Sequence, residues 1–206
     1  MSETRQSHWH AVYRDKAPTD VSWYQPVPTR SIQLIQSTGV AKSDPIIDAG
    51  GGASTLVDHL LLDGYEDITV LDISGQALQR SQQRLGDAAI PVHWIEADVT
   101  AFRPPRRYAI WHDRAVFHFL VDAEERRAYV EVASKALMPA GHLLLATFGP
   151  EGPERCSGLP VQRYGIEALQ ALLEPLFILR DDKLDVHETP TGSTQQFLYS
   201  WWQFRR

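Results

Sequence analysis

Apolar and polar positions along the chain alternate between short apolar runs and helical patterns. Runs at 46–49, 68–71, 91–95, 108–111, 142–148, 176–179 and 196–202 read as strands. Helical periodicity occupies 54–63, 75–86, 122–138 and 166–174. Ser54 and Ser74 stand where N-caps belong, and Pro139 with Gly141 stops the 122–138 helix. Strands alternating with helices of this length predict βαβ units and a parallel sheet, an α/β fold. The end of the chain breaks the alternation. QQFLYSWWQF follows TPTGST without room for a crossover helix, so the last strand is expected to return antiparallel beside its predecessor. Residues 1–43, with Trp9, Tyr13, Trp23 and Tyr24, precede the sheet and are predicted to form a helical lid or flank. Residues 44–206 then form the remainder of a single domain.

The stretch IIDAGGGASTLVDHLLLDGYEDITVLD, 46–72, predicts a strand, a glycine-rich turn opening a helix, and a second strand tipped by Asp72. Ligands of open α/β sheets sit at the carboxyl ends of the strands, so this unit marks a nucleotide-type site. Gly50, Gly51 and Gly52 let the backbone approach a ligand where a Cβ would block it. Asp72, 20 residues beyond Gly52, is placed to accept hydrogen bonds from a ribose diol. A dinucleotide fingerprint would carry Gly or Ala where Thr55 stands. Asp48, just before the glycines, would repel a pyrophosphate and suit an amino-bearing or cationic ligand. This favours S-adenosylmethionine over NAD.

D-A-G-G-G-A-S followed by V-L-D-I-S resembles the first two motifs of class I S-adenosylmethionine-dependent methyltransferases, and the resemblance covers about residues 44–205. It implies a Rossmann-like, seven-stranded, mostly parallel sheet with helices on both faces and an antiparallel last strand. It also implies that Asp48 and the Gly50–Gly52 turn line the methionine moiety and that Asp72 holds the ribose. Ile73 would pack on the adenine, and Asp98 with Val99, in I-E-A-D-V, would reach the adenine amino group. Ser54 replaces the usual third glycine.

The fourth strand opens YAIWHDRAVFHFL, 108–120, whose end belongs at the same sheet edge. Methyl transfer needs in-line approach, desolvation and, for some nucleophiles, a base. His112 is expected beside the cofactor. Asp113 is a candidate to orient or deprotonate a nucleophile, Arg114 to lower a thiol pKa or hold an anion, and His118 to act as base. Each has a bland alternative: strand-end pairing for Asp113 and Arg114, burial for His118, the opposite face for His112. W-H-D-R-A-V-F-H-F-L, E-R-R-A-Y-V, L-L-L-A-T-F and C-S-G-L-P-V are similar to the thiopurine/thiol methyltransferase branch. Asp113, Arg114, Ala115, Arg126 and Tyr129 match its motifs, while Val116 and Ser157-Gly158-Leu159 depart from them. Trp23-Tyr24 is also similar to small protein-lysine methyltransferases, from which Arg114-Ala115 departs. Trp23 and Tyr24 are candidates to close over a sulfonium by cation–π contact, and Cys156 to line the acceptor pocket.

Composition narrows the partners. Net charge is −6, which argues against nucleic acid held through its phosphates. One cysteine rules out an internal disulfide and suggests a reducing compartment. No run approaches the ~18 apolar residues of a membrane span, and the first residues lack a signal-peptide core. His8 and His10 flank Trp9 with no ligand at metal spacing, so no metal is expected. The expected protein is cytoplasmic and methylates a small nucleophile, with a thiol, sulfide or selenium species favoured. A lysine or small-molecule N/O acceptor, a silent nucleotide-binding module and a nicotinamide-dependent oxidoreductase are the competing readings.

Overall fold

The computed structural model describes residues 2–206; Met1 of the predicted flank lies outside the described residues. Its strands are β1 (Ile46–Ala49), β2 (Ile68–Asp72), β3 (His93–Glu96), β4 (Tyr108–Arg114) and β5 (Leu137–Phe148). The two-residue strands β6 (Arg155–Cys156) and β7 (Leu159–Pro160) follow, then β8 (Phe177–Glu188) and β9 (Thr194–Phe204). The helices are α1 (Ser2–Asp15), α2 (Thr29–Ser37), α3 (Leu56–Leu62), α4 (Gly75–Leu85), α5 (Ala123–Ala136) and α6 (Ile166–Leu173).

Seven strands form one sheet in the order β3-β2-β1-β4-β5-β9-β8. The first five are parallel, and β9 runs antiparallel to both neighbours, as the missing crossover predicts. Strand alternation splits the core in two. Ile47, Ala49, Trp111, Leu143 and Leu145 join the apolar cluster that includes Tyr129, Ala133 and Leu169 of α5 and α6. Ile46, Val70, Ile110, Leu144 and Ala146 join the one that includes Leu34, Leu56, Leu60 and Leu78 of α2, α3 and α4. Helices therefore cover both faces. Because β1, β2 and β4 are parallel and in register at Ala49, Leu71 and Asp113, their carboxyl ends share one edge. Among the described residues no helix is long and apolar enough to cross a membrane.

Several boundaries differ from the sequence reading. The predicted 176–179 strand is twelve residues long, because the polar run RDDKLDVHE continues as an exposed edge strand that no apolar run announces. The 122–138 helix ends at Ala136, where Leu137 already pairs with Tyr108 in the sheet. Ser74 caps α4 through the Ala77 N–H. Ser54 does not occupy the cap of α3: Thr55 does, and the Ser54 hydroxyl accepts from the Leu56 N–H.

The N-terminal segment is helical. α1 lies against α4, and the carbonyls of Arg14 in its last turn and of Lys16 just beyond it accept from the Arg80 guanidinium. Arg5 grips Glu125 of α5 with two bonds of 2.7 and 2.8 Å, and Gln6 donates to Glu96 at 2.9 Å. These attachments hold α1 against the end of β3 and against α5.

Candidate active site

Two adjoining cavities open at the carboxyl edge of the sheet and share Tyr13, Trp23, Gly50 and Arg114 as walls. The first is lined by Asp72, Ile73, Asp98 and Val99 on one side and by Trp9, Phe119, Ala115 and Cys156 on the other. The second is lined by Tyr24, Ser31, Asp48, Gly51 and His112.

The glycine turn makes the first cavity possible. Gly50 and Gly52 have φ of 77° and 33°, in the left-handed region that side chains disfavour. A Cβ on Gly52 would stand 2.5 Å from Asp72 Oδ2. The turn thus leaves that carboxylate oxygen facing open backbone. The other oxygen of Asp72 accepts from the Ser74 N–H at 2.8 Å. Asp98 is built alike: Oδ1 accepts from the Thr100 N–H and hydroxyl at 2.9 and 2.7 Å, and Oδ2 lies 3.9 Å from Arg5. Burial, aided by repulsion from Asp48 and Glu96, pushes the Asp72 carboxyl up to about 7.

Asp48 and His112 are cross-strand neighbours on β1 and β4, and they meet. His112 Nδ1 lies 2.7 Å from Asp48 Oδ1, and Nε2 lies 2.9 Å from the Ser31 hydroxyl. All three side chains are buried. Ser31 carries no motif and escaped the sequence reading; its only signal was its place on the buried side of an amphipathic α2.

Arg114 continues the same face of β4. Its Nε donates to the Tyr199 hydroxyl at 3.0 Å, its Nη1 to the Trp23 carbonyl at 2.8 Å, and the guanidinium lies 4.7 Å from the Phe197 ring. The next residue, Ala115, has φ of 73°, a left-handed conformation in a residue with a Cβ. Ala115→Gly is expected to stabilise the fold by up to about 1 kcal/mol. Denaturant melts would show it, and a loss of stability would mean that the Ala115 methyl outweighs the strain.

The structure does not bring Asp113 and His118 to the cavities. Asp113 points to the opposite face of β4, fully buried, and accepts from the Tyr129 hydroxyl at 2.6 Å and the Val116 and Phe117 N–H groups at 2.9 and 3.1 Å. Tyr129 in turn accepts from the Trp111 indole N–H at 2.9 Å. Burial raises the Asp113 carboxyl to about 6. His118 is packed among Phe119, Phe148 and Phe197, and its Nδ1 accepts from the Phe148 N–H at 3.1 Å. Burial, with Arg114 nearby, holds its pKa down to about 3, so it is neutral. Both residues pack at the turn after β4, and neither lines the two cavities.

The roof is aromatic. Trp9 meets Phe119 edge-on at 5.0 Å between centroids and Trp23 at 5.7 Å, and Tyr13 meets Trp23 at 6.4 Å. Trp9 and Tyr13 lie one turn apart on α1. Burial raises the Tyr13 phenol well above its ordinary value, and the Cys156 thiol to about 11. Cys156, on the small β6–β7 hairpin, faces the first cavity as a thiol.

Residues 46–141 match the sequence profile of the family described as methyltransferase domain. The malonyl-[acyl-carrier protein] O-methyltransferase of Anoxybacillus flavithermus is 31% identical over 106 residues, 50% of this chain. The match spans only 39% of that relative's length. Solved structures share the fold over nearly the whole chain. One, from work on conversion of a disulfide bond into a thioacetal group during echinomycin biosynthesis, superimposes with a TM-score of 0.76 at 16% identity, covering 97% of this chain and 91% of that one. The N-methyltransferase NodS of Bradyrhizobium japonicum, in complex with S-adenosyl-L-homocysteine, gives a TM-score of 0.71 at 15% identity, covering 96% and 98%. The chain has the Rossmann-like methyltransferase fold.

Proposed function

We propose that this chain is an S-adenosylmethionine-dependent methyltransferase acting on a small-molecule nucleophile, with a thiol, sulfide or selenium species as the preferred acceptor. The observation that carries the reading is the set of three carboxylates, Asp48, Asp72 and Asp98, ranged along one sheet edge around a glycine turn that has no room for a Cβ. The methyltransferase-domain match and the shared fold support it.

The residues fit the cofactor. Asp72 Oδ2, exposed by Gly52, would take the ribose hydroxyls; Ile73 and Val99 would pack on the adenine, and Asp98 would accept from its amino group. Asp48, held by His112, which Ser31 holds in turn, would face the amino end of the methionine moiety beside Gly50 and Gly51. The bound cofactor supplies an electrophilic methyl on a sulfonium sulfur. Trp9, Tyr13, Trp23 and Phe119 would exclude water from that region and orient the acceptor, with Tyr24 closing the second cavity.

The first cavity offers no base for the acceptor at neutral pH apart from the two carboxylates assigned to the nucleoside. The Tyr13 phenol and the Cys156 thiol hold their protons, and His118 and Asp113 stand outside. A thiol or selenol needs no strong base, because it ionises near neutral pH beside a cation. This favours the sulfur class over an amine or alcohol. The matched O-methyltransferase favours an oxygen acceptor as the second reading.

Calorimetry with S-adenosyl-L-homocysteine and NAD tests the cofactor, and binding of NAD alone would overturn the reading. Labelled methyl offered with thiols, sulfide and cell lysate tests the acceptor. Label confined to a protein band would select a protein acceptor, and binding without transfer would select a silent module. A pH series sharpens the assignment of Asp72. Its carboxyl is raised to about 7, and only the ionised form accepts from both ribose hydroxyls. S-adenosyl-L-homocysteine is therefore expected to bind about tenfold more tightly at pH 8 than at pH 6. Asp72→Asn should weaken binding and flatten that profile; an unchanged profile would remove Asp72 from the ribose.

A further inference from the structure

Arg114 is a cation without a counter-ion. It lines both cavities, and among the described residues no carboxylate forms an ion pair with it. Two of its nitrogens are satisfied by neutral acceptors, the Tyr199 hydroxyl and the Trp23 carbonyl. The third, Nη2, is buried and has no hydrogen-bond partner. An unpaired buried guanidinium nitrogen is costly unless a ligand completes it. The carboxylates of the first cavity, Asp72 and Asp98, lie at the ends of β2 and β3, and the wall beyond Arg114 is Trp9, Ala115, Phe119 and Cys156. That wall is apolar, and the cavity's other cation, Arg5, is engaged by Glu125 and Asp98, so an anion entering beside this wall meets Arg114 as its unpaired partner.

From this geometry we infer that the acceptor is an anion whose negative atom docks on Arg114 Nη2 and is itself the nucleophile, its apolar body lying among Trp9, Trp23 and Phe119. The inference rests on the methyltransferase reading and narrows its acceptor to a thiolate or a carboxylate. In either case the acceptor's lone pair forms the bond to the methyl carbon, the bond from that carbon to the sulfonium sulfur breaks, and its electron pair stays on that sulfur. The anion and the sulfonium both become neutral, and no proton moves. Arg114 is thereby a device for selecting substrate and releasing product. The anionic acceptor satisfies the guanidinium; the methylated product, a thioether or an ester, no longer pairs with it.

The test uses matched probes titrated into the full chain by calorimetry, with and without S-adenosyl-L-homocysteine: phenylacetate against phenylacetamide, and thiophenolate against phenol. At least one anion should bind about tenfold or more tightly than its neutral twin, the scale of a charge-assisted hydrogen bond in a dry site. The carboxylate pair and the thiolate pair tell the two sources apart. Arg114→Gln should abolish that preference and Arg114→Lys should keep part of it, while affinity for S-adenosyl-L-homocysteine changes less than about threefold. Equal binding of anion and neutral twin to the wild type would overturn the inference, whether or not Arg114→Gln folds. So would a loss of S-adenosyl-L-homocysteine affinity in both variants as large as the loss of anion affinity, because Arg114 would then hold the cofactor's own carboxylate. Failure of the wild type to bind S-adenosyl-L-homocysteine would instead reject the methyltransferase reading, and the titrations on the free protein would still decide whether Arg114 selects anions.

Discussion

Gly50→Ala should abolish measurable cofactor binding while leaving a folded protein. Two costs coincide at this position. The backbone has φ of 77°, where an L side chain costs roughly 1–2 kcal/mol. A Cβ would also fall well inside contact distance of Val116 Cγ2, and Val116 is anchored by the bond from its N–H to Asp113. Overpacking of this kind adds about 1–3 kcal/mol. If the turn escapes both by shifting, it moves into the space that Asp72 and the first cavity need. Borne by the bound state, the combined cost of about 2–5 kcal/mol corresponds to a loss of at least about thirtyfold in affinity for S-adenosyl-L-homocysteine. Two further variants separate the causes. Gly39→Ala carries the same backbone penalty, with φ of 73° and open space around its Cβ, and lies away from the site. It should lower stability slightly and leave affinity unchanged. Gly50→Ala with Val116→Ala removes the overlap and should recover part of the binding. Tight binding by Gly50→Ala alone would show that the turn does not set the cofactor's approach.

The same turn shows why much of the site was legible in the chain. Asp48, the three glycines, Asp72 and Asp98 are local signals: each follows an apolar strand, and parallel strands bring their carboxyl ends together without any knowledge of side-chain packing. Ser31, Trp9 and Tyr13 belong to helices before the sheet. Their positions depend on how α1 and α2 dock through Arg5, Arg80 and His112, contacts far apart in sequence. No spacing rule reaches across them. The long β8 was missed for a different reason: an exposed edge strand satisfies its backbone without an apolar run, so periodicity is silent. The motif D-R-A at 113–115 misled in an instructive way. Read as one cluster, it placed Asp113 with Arg114 at the chemistry. Strand alternation puts neighbours on opposite faces. Once Asp48 meets His112, Arg114 shares that face and Asp113 must join Trp111 on the other.

Asp113→Ala is accordingly expected to act on stability first. The carboxylate is fully buried and accepts from the Tyr129 hydroxyl and from two backbone N–H groups. Its removal leaves those donors without a partner in a dry core and cuts the chain from Trp111 through Tyr129. Breaking a buried charged network costs about 3–5 kcal/mol. In a chain of this size that lowers the melting temperature by roughly 10 °C. Cofactor affinity, measured where the variant is folded, should fall only a few-fold, through loosening of the Val116 turn against Gly50. Asp113→Asn keeps one acceptor oxygen and should be milder, and its pH dependence carries a sign. The folded carboxyl is raised from its ordinary value near 3.8 to about 6, so the stability it contributes is complete below about pH 4 and declines as pH rises through 6. The deficit of Asp113→Asn relative to the wild type should therefore shrink between pH 4 and pH 6. A variant that keeps its stability but loses turnover would return Asp113 to the reacting atoms. Lost stability with near-normal affinity would leave Arg114, on the opposite face of β4, as the residue of this motif that meets the acceptor.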